Sequence, residues 1–331
     1  MDTNVKPAKE VVFVVLAIPV FLALISSAIA GSSLYFYRLA IARSDKSFLG
    51  ASPDLAANAS ARADRGSDRH TDLHDNDWWE NQTIADWRIS SDDGLQLSAY
   101  FIKAAGLPGK TAILAHGYSG DAKQMIQLAQ MYIDAFGYNV LLPDARGHGR
   151  SDGRYIGFGW HERLDYIKWI DQVIAHIGPH AQIVLHGISM GGATVLMASG
   201  EELPANVKAI VADCGYTSVK DQLAYQLKRL YRMPSFPMIP FTSLMTRMRA
   251  GYFFGEASAL AQVRKSRTPT LFIHGEADTF VPTWMVRELY ENGPPDKSLY
   301  LVPKAGHGLA QHVDPTRYEQ EVGKFIGQYV H

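Results

Sequence analysis

The chain has 331 residues, 47% of them hydrophobic and 20% charged, enough for one large globular domain and an appendage. A formal net charge of -1 gives no electrostatic reason to expect nucleic acid or another strongly charged partner. The single cysteine, Cys214, excludes an intramolecular disulfide, so the fold does not depend on redox compartment.

A short tail, 1–10, carries Lys6 and Lys9. Val11 to Ala30 then carry no charge, and the uncharged run continues to Tyr37. At about 1.5 Å per residue, about 20 residues span a hydrocarbon core of about 30 Å. Tyr35-Phe36-Tyr37-Arg38 fits an aromatic interface belt followed by a charge. Segment 11–37 is therefore expected to be an uncleaved transmembrane anchor. A cleaved signal peptide is the alternative: Ala28-Ile29-Ala30 fits its cleavage site, although the apolar run is longer than a signal core. Lys6 and Lys9 before the span nearly balance Arg38, Arg43 and Lys46 after it, so charge alone does not orient it. A first apolar segment with a short N-terminal tail often exports the domain C-terminal to it. The expectation is a single-pass membrane protein with an extracytoplasmic domain.

Residues 38–77 read as a polar linker. Ala51 to Asp68 is mostly Ala, Ser, Asp and Arg, too poor in large apolar residues to offset ordering entropy. His70, Asp72, His74, Asp75 and Asp77 offer metal-ligand chemistry, but in such a stretch they read as solvated linker. Asn58-Ala59-Ser60 and Asn81-Gln82-Thr83 match the glycosylation sequon.

From residue 78 to 331 the composition is globular. Trp87–Ser90 and Leu95–Ile102 alternate with period two around Ser91-Asp92-Asp93-Gly94, which predicts an antiparallel hairpin. Continuous apolar runs come next at Thr111–His116, Asn139–Asp144, Ala181–Leu185, Val207–Asp213, Thr270–His274 and Ser298–Pro303, as expected for strands buried on both faces. Helical patterns separate them, at about 122–135, 160–177, 190–201, 283–292 and 315–330. The alternation predicts an α/β fold with a doubly wound, mostly parallel sheet. Residues 216–267 interrupt it with two further helical patterns rich in Tyr, Phe, Leu and Met. They are expected to pack on the core, to form a small helical cap with an apolar wall, or both.

The chemistry centres on His186-Gly187-Ile188-Ser189-Met190-Gly191-Gly192, a G-x-S-x-G turn joining a strand to a helix. Such a turn exposes a serine hydroxyl and aims the unpaired first N–H groups of the helix at an oxyanion. In open α/β sheets catalytic groups collect at the carboxyl ends of strands. Asp278 lies after the strand at 270–274, and His307, in Gly306-His307-Gly308, after the strand at 298–303. Ser189, His307 and Asp278 thus form a candidate nucleophile, base and acid. His116, His186 and His274 compete as base, although each abuts a glycine or the elbow and a backbone or packing role is the expectation; Asp213 and Glu276 compete as acid. The loop His116-Gly117-Tyr118-Ser119-Gly120 is expected to supply a second oxyanion donor, the Tyr118 N–H, beside that of Met190. His116, Tyr118, Tyr216 and Phe280 are the candidate pocket residues. Arg146 and His148, in the loop Asp144 to Ser151, read as parts of a structural turn rather than substrate ligands.

Over about residues 85–331 the sequence resembles the α/β-hydrolase superfamily. The resemblance rests on HGYSG, DARGHGRSDG, GISMGG, HGEADTFVP and AGHG in order and spacing. Asp213-Cys214-Gly215-Tyr216-Thr217-Ser218 and the N-terminal anchor are similar to the membrane-anchored Bem46-like and serine-aminopeptidase-like branch. The resemblance implies a serine hydrolase, without cofactor or metal, that cleaves carboxylic esters or thioesters through an acyl-enzyme. The substrate expected is a small-molecule or lipid-like acyl ester, with no obligate protein partner. A peptidase or amidase with the same triad, or a non-catalytic scaffold on a hydrolase fold, are the alternatives.

Overall fold

The apolar runs become strands because alternate residues feed two cores. In β3 (Lys110–Ala115) Ile113 and Ala115 face one core, and Ala112 and Leu114 the other. β5 (Gln182–Ile188) and β6 (Val207–Asp213) divide in the same way, with Ile183 and Ile210 on the first side and Val184 and Val211 on the second. The remaining strands are β1 (Ile84–Ser90), β2 (Gln96–Ile102), β4 (Asn139–Pro143), β7 (Thr270–Gly275) and β8 (Lys297–Val302). They join in one sheet of order β1-β2-β4-β3-β5-β6-β7-β8. β1–β2 and β2–β4 pair antiparallel; every other pair is parallel. This computed structural model describes residues 8–44, 46, 77–106 and 109–331.

The helices are α1 (Ala8–Phe36), α2 (Ile126–Gln130), α3 (Glu162–Ile177), α4 (Met190–Ala198), α5 (Val219–Tyr231), α6 (Met238–Ala250), α7 (Ala259–Val263), α8 (Trp284–Glu291), α9 (Ala310–Val313) and α10 (Pro315–Ile326). α3, α4, α7 and α8 cover the first core, and α2, α9 and α10 the second. α5 and α6 form the expected interruption, but it is tighter than 216–267. Ser218 and Ser258 bridge antiparallel, and Val219 N–H donates to Ala257 O at 2.9 Å, so the excursion opens and closes at one point. α7, beyond that bridge, packs back on α4.

α1 continues through a wider turn, Tyr37–Ile41. Its stretch Ile18–Ile41 is long and apolar enough to cross a membrane. One expectation fails here. Residues 38–44 are not the start of a polar tether; they are docked on the domain. Ile41 is fully buried, Ile41 O accepts from Ile156 N–H at 2.7 Å, and Ala42 bridges Tyr155. The Arg43 guanidinium donates to Ser151 O and Gly149 O, both at 2.8 Å. Docking wins over solvation because Ile41 reaches a core and Arg43 finds carbonyls. Most of the expected linker, with His70, Asp72, His74 and Asp75, lies outside the described residues; Asp77 is exposed.

The join between β5 and α4 is set by backbone packing. A Cβ on Gly191 would lie 1.9 Å from Ala115 O, and one on Gly187 would lie 2.1 Å from Gly191 O. Only glycine permits that approach. We expect Gly191→Ala to destabilise the protein by about 3 kcal/mol or more, read as a lower urea midpoint with an unchanged m-value.

Candidate active site

Ser189 sits at the turn between β5 and α4 with φ 59° and ψ -115°, the strained conformation a nucleophile elbow requires. Its backbone N–H is held by Asp213 O at 2.8 Å. His307, after β8, places Nε2 2.8 Å from Ser189 Oγ. Asp278, after β7, places Oδ2 2.8 Å from His307 Nδ1. The three side chains predicted as a set are therefore in hydrogen-bond contact. Met190 is the first residue of α4, where a backbone N–H has no intrahelical acceptor. The loop after β3 arrives beside it: a Cβ on Gly117 would lie 3.7 Å from Ser189 Cβ.

Asp278 is buried and accepts from the N–H groups of Phe280 at 2.9 Å and Val281 at 2.8 Å. Burial alone would raise its pKa. The charge of His307, with hydrogen bonds from His274 and His307, outweighs that and holds the carboxyl below its ordinary range. Asp213, the competing acid, is bonded differently. Its Oδ2 accepts from Tyr318 Oη at 3.1 Å, and its Oδ1 is buried without a partner. Burial pushes its pKa up to about 6. Two neighbouring carboxyls are thus driven in opposite directions, and the one in contact with the imidazole is the one kept charged. Glu276 is exposed.

The other histidines are placed as scaffold. His116, expected in the pocket, is not among its walls. It is buried; Nδ1 donates to Gly117 O at 2.8 Å and Nε2 accepts from Ala145 N–H at 3.0 Å. Burial pulls its pKa down to about 3, which keeps it neutral as it ties two loops. His186 is fully buried between Tyr132 Oη at 3.1 Å and Tyr318 Oη at 3.0 Å. Because Tyr318 donates to Asp213, His186 Nε2–H donates to Tyr318 and Nδ1 accepts from Tyr132. His274 donates from Nε2 to Val281 O at 2.8 Å, behind Asp278. His148 Nε2 lies 2.6 Å from Tyr118 O, fixing the candidate oxyanion loop. Arg146 is a buried clamp, paired with Asp165 at 2.7 Å and Asp93 at 2.8 Å. Cys214, Asp278 and His307 bring donor atoms within 4.8 Å of one another. They do not fit a metal site: burial pushes the Cys214 thiol well up, and the other two are bonded to each other.

Ser189 opens into an apolar pocket of about 890 Å³ including its mouth. Tyr118, Tyr216 and Phe280 line it, and the Phe280 ring lies 4.9 Å from that of His307. The cap contributes Leu223, Leu227, Met238 and Ile239. Gln222 Oε1 and Thr242 Oγ1, also on the wall, are buried without a protein partner. Phe36, Leu39 and Ala40 close one side, and the Tyr118 hydroxyl donates to Ala40 O at 2.5 Å. That contribution of the N-terminal helix is absent from the sequence-based expectation. Its aromatic signal is present at Tyr35-Phe36-Tyr37, but the pattern fits a lipid interface equally well.

This arrangement defines a hydrolase of the α/β type, and the similarity to known proteins agrees. The alpha/beta hydrolase family model matches residues 112–321, and the chain belongs to that family. It is 30% identical to YqkD of Bacillus subtilis, over 72% of this chain and 77% of that one. It is 24% identical to a membrane protein of Saccharomyces cerevisiae, over 66% of this chain and 72% of that one. Among solved structures, a Pyrococcus furiosus esterase matches with a TM-score of 0.62 and 25% identity, over 76% of this chain and 94% of that one.

The buried acid and the braced loop are both open to test. An acid whose folded pKa is raised contributes stability below its unfolded value and loses it as pH climbs through the folded one. Asp213→Asn should therefore leave thermal stability unchanged near pH 4, raise it progressively up to about pH 6, and hold that gain above it; differential scanning calorimetry across pH reads this. Tyr118→Phe, which strands Ala40 O, should cost about 1 kcal/mol of stability and lower kcat more than KM by loosening the loop.

Proposed function

We propose that this protein is a membrane-anchored serine hydrolase that cleaves carboxylic ester or thioester bonds through an acyl-enzyme. The observation that carries the reading is the continuous chain Ser189 Oγ, His307 and Asp278, with both links at 2.8 Å, at the floor of an apolar pocket. The esterase neighbour from Pyrococcus furiosus supports it. α1 supplies the anchor.

In this reading His307 Nε2 takes the hydroxyl proton as Ser189 Oγ attacks the acyl carbon. The oxyanion forms between the N–H groups of Tyr118 and Met190, each such donor being worth about 10²–10³ in rate. Asp278 holds the Nδ1–H tautomer and stabilises the imidazolium. The imidazolium then protonates the departing alcohol or thiol. A water molecule, deprotonated by His307, attacks the acyl-enzyme and releases the carboxylic acid. The described pocket walls are aliphatic, aromatic and amide or hydroxyl groups, with no acid among them to meet a free amino terminus, which favours esters over aminopeptidase substrates.

A fluorophosphonate probe should label the full chain, and Ser189→Ala should abolish that labelling. Asp278→Asn should cut p-nitrophenyl butyrate turnover by about 10³–10⁴, the scale of losing the correct tautomer, while Asp213→Asn keeps most of it. Labelling that survives Ser189→Ala would remove Ser189 from the mechanism.

A further inference from the structure

The pocket and the membrane helix share a wall. Phe36, Leu39 and Ala40, at the end of α1, line the cavity that holds Ser189. From residue 18 to residue 28 the side chains of α1 are exposed, among them Phe21 and Leu24; from Ile29 onward they begin to pack on the domain. The stretch 18–28 rises only about 16 Å, so a spanning α1 that leaves the hydrocarbon near Ile29 also places residues before Ile18 in it. Phe36 is seven residues beyond Ile29, so the pocket wall begins about 10 Å from the hydrocarbon.

The elements around the mouth carry a surface suited to lipid. α6 packs along α1, and Phe36 meets the Tyr231 ring edge-on at 5.4 Å. Leu230 and Tyr231 line the pocket while remaining exposed. On α6, Phe241, Leu244 and Met248 recur at helical spacing on an exposed stripe, with Met248 66% exposed. Phe236, in the turn before α6, is 72% exposed. A water-facing surface has no reason to concentrate these residues beside the end of a spanning helix. The charge is one-sided as well. Between Val219 and Phe254 stand Lys220, Lys228, Arg229, Arg232, Arg247 and Arg249 against one acid, Asp221, in a chain of net charge -1. Apolar side chains interspersed with cations match an anionic membrane surface.

We infer that the substrate is a long-chain lipid ester resident in the bilayer, which enters from the leaflet where α1 ends, between α1 and the cap helices where Phe36, Leu230 and Tyr231 line the cavity. The inference rests on Ser189 as nucleophile and α1 as anchor. The occupant of the exposed cap face is the membrane surface, because that face is continuous with α1 and complementary in charge to anionic lipid. The acyl chain then passes from one apolar medium to another, and hydrolysis returns a fatty acid and an alcohol after consuming one water.

The test uses the full chain reconstituted in vesicles of phosphatidylcholine with phosphatidylglycerol, doped with a long-chain monoacylglycerol. Phe236→Asp and Met248→Asp, separately and together, change the exposed face and leave the pocket intact. The double variant is expected to hydrolyse the vesicle lipid at least tenfold more slowly than the parent, while p-nitrophenyl butyrate turnover stays within twofold. An unchanged lipid rate, or equal losses on both substrates, would overturn the inference. Parent protein that cleaves the butyrate ester but not the vesicle lipid would overturn it and leave the serine hydrolase reading standing. Parent protein that cleaves neither and takes up no fluorophosphonate removes that reading and the inference with it. Light scattering of the detergent-solubilised protein completes the set: a dimer of the parent that Met248→Asp dissociates would make a second copy the occupant, overturning the membrane assignment.

Discussion

The structure turns on how closely α4 approaches the ends of β3 and β5. Gly187 and Gly191 remove the side chains that would keep backbone from backbone, and the chain reverses between them with a serine at positive φ. Everything at the site takes its position from that reversal. The first N–H of α4 is delivered beside Ser189, and Gly117 reaches the serine from β3. β6 pins the Ser189 amide through Asp213 O, while β7 and β8 carry Asp278 and His307 to the same edge. The strain at Ser189 is retained because buried packing on both faces of the sheet over-determines it.

Much of this is legible in the sequence, because the relevant constraints are local or ordered along the chain. Six continuous apolar runs report strands fed by two cores and two alternating ones report the hairpin β1–β2, and all eight strands lie within a few residues of where the pattern puts them. G-x-S-x-G declares a close backbone approach, and the strand-end rule puts Asp278 and His307 on the same edge. Chain order does not separate Asp278 from Asp213, since both lie between Ser189 and His307. The physical difference between them, two backbone donors and two imidazoles against a single tyrosine hydroxyl, depends on long-range packing that no spacing records. His116 departs from expectation for a related reason. Beside Gly117 it reads as a backbone or packing residue more than as a base, and both of its nitrogens do tie loops, at positions 117 and 145, which keeps it out of the pocket where it is also expected.

The segment after the apolar helix departs further. Arg38, Arg43 and Lys46 look like the polar start of a tether because composition reports solvation and not partners. In the fold, Lys46 Nζ donates to Leu39 O and Ala42 O, both at 2.8 Å, closing the end of the helix that precedes it. Arg43 spends its guanidinium on carbonyls of the loop 149–153. Two of the three cations are thus absorbed by helix and loop carbonyls while Arg38 stays exposed, and of the aromatic belt Phe36 joins the pocket wall. A carbonyl acceptor about 110 residues away leaves no mark on the local pattern.

The bridge between Ser218 and Ser258 has a consequence for how such a protein changes over time. The whole cap leaves and re-enters the sheet through one pair of neighbouring residues, so its length is mechanically invisible to β6 and β7. Turns can be added to α6 on this footing, whereas α5 is tied through Gln222, Gln226 and Tyr225 to the carbonyls of Phe280 and Thr279 beside Asp278. The sheet edge and the outer wall of the pocket therefore lie in largely separate parts of the chain. Selection is free to rewrite the second while the first stands still.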